Sequence, residues 1–406
     1  MSTRTSRPEA TEPASEVAGA APVPRRARRG RRLLAVGASA LLVAGLAVAC
    51  TSDDDPSGNA TDPDEVSCTP EDLPAAVTAD QVAAADTDGT TIKLVTHDSF
   101  ALSDGVLDRF TDETGITVEV VQVDDAGTLV SQAVLSAGNP VADVLFGIDN
   151  TFLCRGTSRG VFVPYRAAAL DDVPADLRLA EADLATPIDV GDVCLNYSKA
   201  AFPGGAGAPE GLDDLTKPEL ADAFVTENPE TSSPGMAFLL ATIATYGEDG
   251  WEQYWKDLRA NGLLVTAGWT EAYEDAFGAG SGERSVVTSY ASSPVADVLY
   301  SDPPRDEPNL GVVADACFRQ VEFAGILRGT KHPEAAAKLV DFLLSPTVQE
   351  DLPLTMFVSP ANETAEVPAT YAAHTTPVEH PITMSPAEIE AGRDRWTEAW
   401  TQIALR

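Results

Sequence analysis

Between Ile92 and Asn150 the chain alternates repeatedly between two periodicities, and this constrains its fold more than any other feature. Ile92–Thr96 is a short β-branched run, and Leu107–Thr114 has helical spacing and stops at Gly115. Ile116–Val123 is again β-branched, Thr128–Ala137 is helical up to Gly138-Asn139-Pro140, and Val141–Ile148 is a further strand-like run closing on Asp149-Asn150. Strands and helices alternating at this length predict βαβ units and an α/β fold with a mainly parallel sheet. Roughly 310 residues lie beyond Thr90, a length that suits two lobes.

Later segments fit that frame. Trp251-Glu252-Gln253-Tyr254-Trp255 reads as an amphipathic helix whose aromatics pack a core, Arg319–Leu327 as a strand, and Pro333–Leu344 as a helix ended by Ser345-Pro346. Ser385-Pro386-Ala387-Glu388 carries an N-cap, a proline at the first helical position and a capping-box acid. It opens a helix whose Trp396 and Trp400 share one face, a pair expected to dock on the domain.

The N-terminus reads as an address. Six arginines from Arg25 to Arg32 precede the apolar stretch Leu33–Ala49, which ends at Ala47-Val48-Ala49-Cys50. A basic start, an apolar middle and small residues before a cysteine predict a bacterial lipoprotein signal, with Cys50 as the lipidated residue and membrane anchor. Ala47 stands where leucine is usual, with Leu46 one place earlier. The alternative is an uncleaved anchor at the short limit for a spanning helix. Either places the domain outside the cytoplasm. Arg31-Arg32 leaves open whether export is general or twin-arginine. Thr51–Thr90, rich in Asp, Pro and Gly, reads as an acidic flexible tether.

Charge narrows the partners. The chain has 27 basic and 63 acidic residues; 8 arginines and 3 glutamates precede Cys50, leaving 19 − 60 = −41 for the rest. Nucleic acid and anionic membrane surfaces are thereby excluded, while cationic ligands are favoured. Cys68, Cys154, Cys194 and Cys317 remain once Cys50 is set aside, which predicts two disulfides with three possible pairings. No spacing predicts a metal site or a cofactor. Gly156-Thr157-Ser158-Arg159-Gly160 matches GxSxG, but extended chain follows it where a nucleophile elbow needs a helix. Thr231-Ser232-Ser233-Pro234-Gly235 precedes an apolar helix; Ser233 as N-cap and Pro234 as first helical residue would form an anion pocket there. His97-Asp98-Ser99 and Asp149-Asn150 fall at strand ends, where open α/β sheets hold ligands. Trp269 and Tyr290 stand in small, polar, loop-like runs in a chain with only 6% aromatics. An indole and a phenol facing one cleft in an acidic protein predict a site for a flat organic cation.

These segments together resemble the thiamine-binding solute receptors of bacterial ABC importers, within the two-lobed periplasmic-binding-protein class. The resemblance runs from about Lys93 to the C-terminus. It is carried by His97-Asp98-Ser99-Phe100, Ala142–Asn150, Thr231–Gly235, Gly268-Trp269-Thr270-Glu271-Ala272-Tyr273, Ser289-Tyr290 with Ser292-Ser293-Pro294, Gln320-Val321-Glu322 and Ser385–Glu388. It implies that thiamine or a thiamine phosphate lies between the lobes, with Trp269 and Tyr290 on its rings. Ser232, Ser233 and Gly235 would meet the hydroxyethyl or phosphate end, and His97, Asp98, Ser99, Asp125 and Asp149 would contribute from the opposite lobe. A permease and its ATPase are the implied partners of a monomeric, non-enzymatic receptor. The implied organisation is a signal at 1–50, tether at 51–90, first lobe at 91–192 and 319–406, and second lobe at 193–318. The family has tyrosine in place of His97, an aromatic in the Val295-Ala296-Asp297 region, and tryptophan near Met356-Phe357; Asp297 is a candidate to replace a ring with a charge. Rival expectations are a polyamine, a thiamine pyrimidine precursor or ferric iron as ligand, a serine hydrolase using Ser158, and a purely structural lipoprotein. Tyr290 is followed by Ala291 rather than a second tyrosine, which argues against iron.

Overall fold

The computed structural model describes residues 62–303 and 305–406. Among the described residues ten strands form one sheet: β1 Thr91–Thr96, β2 Thr117–Gln122, β3 Val144–Asp149, β4 Phe162–Val163, β5 Thr186–Ser198, β6 Phe224–Glu227, β7 Leu264–Thr266, β8 Val286–Tyr290, β9 Leu310–Leu327 and β10 Ser359–Pro360. The main order is β2-β1-β3-β9-β5-β8-β6-β7. The sheet is parallel at both ends, in β2-β1-β3 and β8-β6-β7. It is antiparallel through the middle, where β9 pairs with β3 and β5, and β5 with β8. Two α/β halves are thus joined by two long strands, as in a two-lobed binding protein. Register shifts interrupt β5 at Pro187/Asp189 and Val193/Leu195, and the β3–β9 pair at Phe146/Ile148. Each such irregularity interrupts the ladder and favours a local bend of the strand.

Local chemistry explains the boundaries. Gly115 ends the helix Val106–Thr114 at φ 72, a left-handed cap that glycine adopts at little cost. Asp125 caps Ala126–Leu135, so that helix starts before the expected Thr128. Ser232, not Ser233, caps the helix Ser233–Tyr246: its hydroxyl faces the Gly235 N–H at 3.5 Å, and Pro234 falls at the second helical position. That helix is apolar all round and buried through Ile243. β9 begins at Leu310, nine residues before the expected Arg319, because ladder pairing with β5 from Ser198 to Val193 outweighs the weak strand propensity of Gly311, Ala314 and Asp315.

Three expectations are corrected in part or resolved. The proposed tether over 51–90 is not free throughout: from Pro63 onward the chain is fastened to the domain. Cys68 is bonded to Cys154, Val77 bridges Tyr165, and Ala79–Ala84 is a helix with a Thr78–Gln81 capping box. The second disulfide is Cys194–Cys317, joining β5 to β9. Ser158 ends the helix Leu153–Ser158 instead of opening one, so GxSxG here is no nucleophile elbow. The C-terminal helix Pro386–Ala404 carries the expected capping box, and its tryptophans dock as expected. Trp400 meets Trp255 edge-on at 5.5 Å, and Trp396 Nε1 donates to Glu248. Cys50 and the preceding segment lie outside the described residues.

Candidate functional site

The turn after β1, the end of β8 and the loop after β7 converge on a cavity of about 800 Å³. His97, Asp98, Ser99, Asp125, Ser233, Trp269 and Tyr290 all line it, seven of the ten residues expected to meet ligand. Trp269 is fixed at both ends. Its backbone N–H donates to Asp125 Oδ2 at 2.9 Å, and its indole Nε1–H donates to Ser289 Oγ at 3.0 Å. One face stacks on Tyr273, with centroids 4.8 Å apart and planes 12° from parallel. Tyr290 packs over Gly191, where a Cβ would lie 2.9 Å from the ring, and its hydroxyl donates to Gln320 Oε1 at 3.1 Å. The Trp269 and Tyr290 centroids are 6.5 Å apart and the planes 59° apart. A ring sandwiched between parallel faces needs about 7 Å. The two rings are therefore adjoining walls of one corner rather than opposed jaws.

The first half supplies His97 and three of the five carboxylates. His97 Nδ1 lies 3.0 Å from Ser99 Oγ, and Nε2 is 3.6 Å from Glu322 Oε1. His97 fits only because residue 147 is glycine: at φ 99, a Cβ there would sit 2.3 Å from the imidazole. Burial alone would depress the His97 pKa, but Glu322 first, then Asp125 and Asp98, carry it above the ordinary value. Burial holds the Asp125 carboxyl above its usual range, against hydrogen bonds from Trp269, Ser232 and Ala126 that favour the charged form. Contacts span the cleft: Asp98 Oδ2 accepts from Thr270 Oγ1 at 3.0 Å, Asp125 accepts from Trp269, and the Gly127 N–H donates to the Thr231 carbonyl at 2.9 Å. Asp98, Asp125, Glu274, Asp297 and Glu322 line the cavity, against one arginine, Arg305, which is itself paired with Asp297. Such a chamber suits a cation with an aromatic body.

Three expected residues stand behind the wall. Asp149 is fully buried, its Oδ1 accepting from Thr151 Oγ1 at 2.8 Å. Ser232 is consumed as a helix cap. Gly235 lies against the Glu227 carbonyl, 2.7 Å from where a Cβ would stand. Ser233 does face the cavity, buried, with its hydroxyl unpartnered at the start of a 14-residue helix. Asp297 accepts the Asn309 N–H and pairs with Arg305, so its charge is already engaged. Sequence reasoning did not single out Tyr273, Glu274, Tyr300 or Phe357 as site residues, and all four line the cavity. It also missed Asp189, fully buried in the sheet opposite Glu322, which does line the cavity.

Two α/β halves joined by paired strands, with a polar and aromatic cavity at the convergent strand ends, define the two-lobed periplasmic-binding-protein class. The chain belongs to the bacterial extracellular solute-binding protein family, whose model matches residues 139–377. It is similar to the thiamine-binding periplasmic protein of Escherichia coli (strain K12), at 29% identity over 321 residues covering 78% of this chain and 94% of that one. The thiamine-binding periplasmic protein of Brucella suis biovar 1 (strain 1330) is 28% identical over 326 residues, covering 78% and 92%. Among solved structures, a periplasmic thiamin binding protein superposes with TM-score 0.69 at 28% identity, covering 82% of this chain and 99% of its own. A ferric binding protein from Campylobacter jejuni shares the fold at TM-score 0.64 and 18% identity, covering 77% and 99%.

Proposed function

We propose that this solute-binding protein captures thiamine or one of its phosphate esters outside the cytoplasm and delivers it to an ABC importer. The observation that carries the reading is the corner formed by Trp269 and Tyr290 in a chamber lined by five carboxylates. A permanently cationic thiazolium gains about 1–2 kcal/mol over a desolvated aromatic face. The acidic lining adds attraction and repels anionic solutes. Ser233, with its free hydroxyl at a helix start, would receive the hydroxyethyl or phosphate end. His97 and Ser99 would close the first-lobe side. In this reading no bond is made or broken: the lobes, 91–192 with 319–406 and 193–318, close around ligand by bending β5 and β9. The bonds Asp98–Thr270 and Asp125–Trp269 are the latch of the closed form. Lipidation at Cys50 would hold the receptor at the outer face of the membrane.

The names and sequence likeness of the Escherichia coli and Brucella suis relatives support thiamine over a polyamine or iron. Calorimetric titration of the domain lacking residues 1–50 with thiamine, its mono- and diphosphate and its free pyrimidine tests the reading. Heat with the thiazolium compounds and little with the pyrimidine is expected. No heat with any of them refutes it.

A further inference from the structure

Two aromatic side chains at the cavity lie outside the corner made by Trp269 and Tyr290. Tyr300, the last residue of the helix Ser293–Tyr300, lines the cavity yet is 73% exposed. A ring that exposed contributes little to the core, so stability does not account for its place. Phe357 follows the short helix Leu352–Thr355 and lines the same cavity. The two rings meet edge to face, with centroids 5.8 Å apart and planes at 84°. This is a favoured aromatic geometry.

Phe357 is held in an unfavourable backbone conformation. Its φ is 57, the left-handed region that bulky side chains avoid. Such a residue persists only where its surroundings over-determine it, and these positions cluster at ligand clamps. Here both backbone groups are tied: the Phe357 N–H donates to the Leu352 carbonyl at 3.1 Å, and the Phe357 carbonyl accepts from the Ser292 hydroxyl. Ser292 is the N-cap residue of the very helix that ends in Tyr300, and it lies two residues after Tyr290. One helix therefore carries both the bond that fixes the Phe357 backbone and the ring that meets its side chain.

We propose that Tyr300 and Phe357 form an aromatic clasp at the mouth of the cavity that slows release of a cationic heteroaromatic ligand seated on Trp269 and Tyr290. The inference rests on the ligand class proposed above. A clasp acts on escape more than on entry, so its effect falls on the dissociation rate, where most affinity differences between related complexes reside.

The test measures thiamine release by stopped flow from wild type, Tyr300→Ala, Phe357→Gly and the double variant. Glycine is chosen at 357 because it adopts the same φ without strain. Release 5- to 20-fold faster in each single variant is expected, with association changed less than threefold and the double variant no faster than the quicker single one. Tyr300→Phe should restore slow release. Acrylamide quenching of Trp269 without ligand, taken as the difference from a Trp269→Phe protein, is the second readout. Both clasp variants should raise it, with an unchanged melting temperature for Tyr300→Ala. Wild-type release rates in both single variants would overturn the clasp while leaving the thiamine reading intact. If wild type binds no thiamine, that reading fails and quenching decides the clasp: a rise in both variants supports it and no rise overturns it.

Discussion

Replacing Asp149 with asparagine should make the protein more stable, by an amount that grows with pH. Asp149 ends β3 opposite Glu322 on β9, which in turn stands opposite Asp189 on β5. Three acidic residues thus cross the middle of the sheet in one row. Asp149 Oδ1 is satisfied by Thr151, while Oδ2 has no partner. Burial is the main reason its pKa rises from 3.8 to about 7; Glu322 adds to the rise, and the Thr151 hydrogen bond, the nearby Ser233 hydroxyl and Arg393 oppose it. The sign follows from proton counting. The unfolded chain releases this proton near pH 4, the folded protein near pH 7, so between those values the folded state binds more protons and stability falls as pH rises. Three pH units at roughly 1.4 kcal/mol each give a ceiling of about 4 kcal/mol. Asparagine resembles the protonated acid, keeps an acceptor for Thr151 and never ionises. Urea unfolding of both proteins, disulfides intact, at about pH 4.5, 6 and 8 should show nearly equal stability at the lowest pH. The variant should then lead progressively, by about 2–4 kcal/mol at the highest. Because Asp149 stands behind the cavity wall, thiamine affinity should change less than threefold. A constant offset at all three pH values, or a variant that loses stability with pH as steeply as wild type, would refute the reasoning.

Trp269→Ala should weaken thiamine binding by about 5- to 30-fold, through the loss of a cation–π face worth about 1–2 kcal/mol. Tyr290→Phe, which gives up only the hydrogen bond to Gln320, should cost less than about fivefold on the same calorimetric titration. Gly147→Ala forces an L side chain to φ 99 and a Cβ into His97. Thermal melts should show a loss on the order of 2–3 kcal/mol, with weaker ligand binding as His97 is displaced. Replacing Cys194 and Cys317 together with alanine removes a crosslink spanning 123 residues. Urea unfolding should show about 2–5 kcal/mol less stability.

Where local chemistry decides structure, the sequence was legible. Gly115 ended a helix, Ser385 and Glu388 opened one, and Trp396 and Trp400 turned one face to the body, all from short-range rules. The cavity lining was legible on loops and at a strand end: Trp269, Asp98 and Ser99 on loops and Tyr290 at the end of β8 are unusual for their surroundings and do line the cavity. Asp149 and Ser232 misled because a residue at a strand end or helix start has two competing tasks, and capping and burial won. Asp189 carries no local signal and Glu322 only its place in the Gln320-Val321-Glu322 run; the antiparallel pairing of β5 and β9 is what places them together. The helix Ala79–Ala84 was hidden by the acidic composition around it, although Thr78 and Gln81 already form a capping box three residues apart. Tyr300 lies in no run that stands out, and Phe357 was marked only as standing near the family's tryptophan; only the fold brings their rings together.

The strands β5 and β9 have a consequence for how the molecule comes apart. Each half of the sheet ends on them, and they pair with one another from Thr186–Ala324 to Ser198–Leu310. Neither half keeps a complete sheet edge once the other has melted, so the loss of one exposes the flank of the other. The chain from β1 to the C-terminal helix should therefore unfold as a single cooperative unit despite its two-lobed shape. A small molecule gripped in the cleft then stabilises all of it at once, remote helices included.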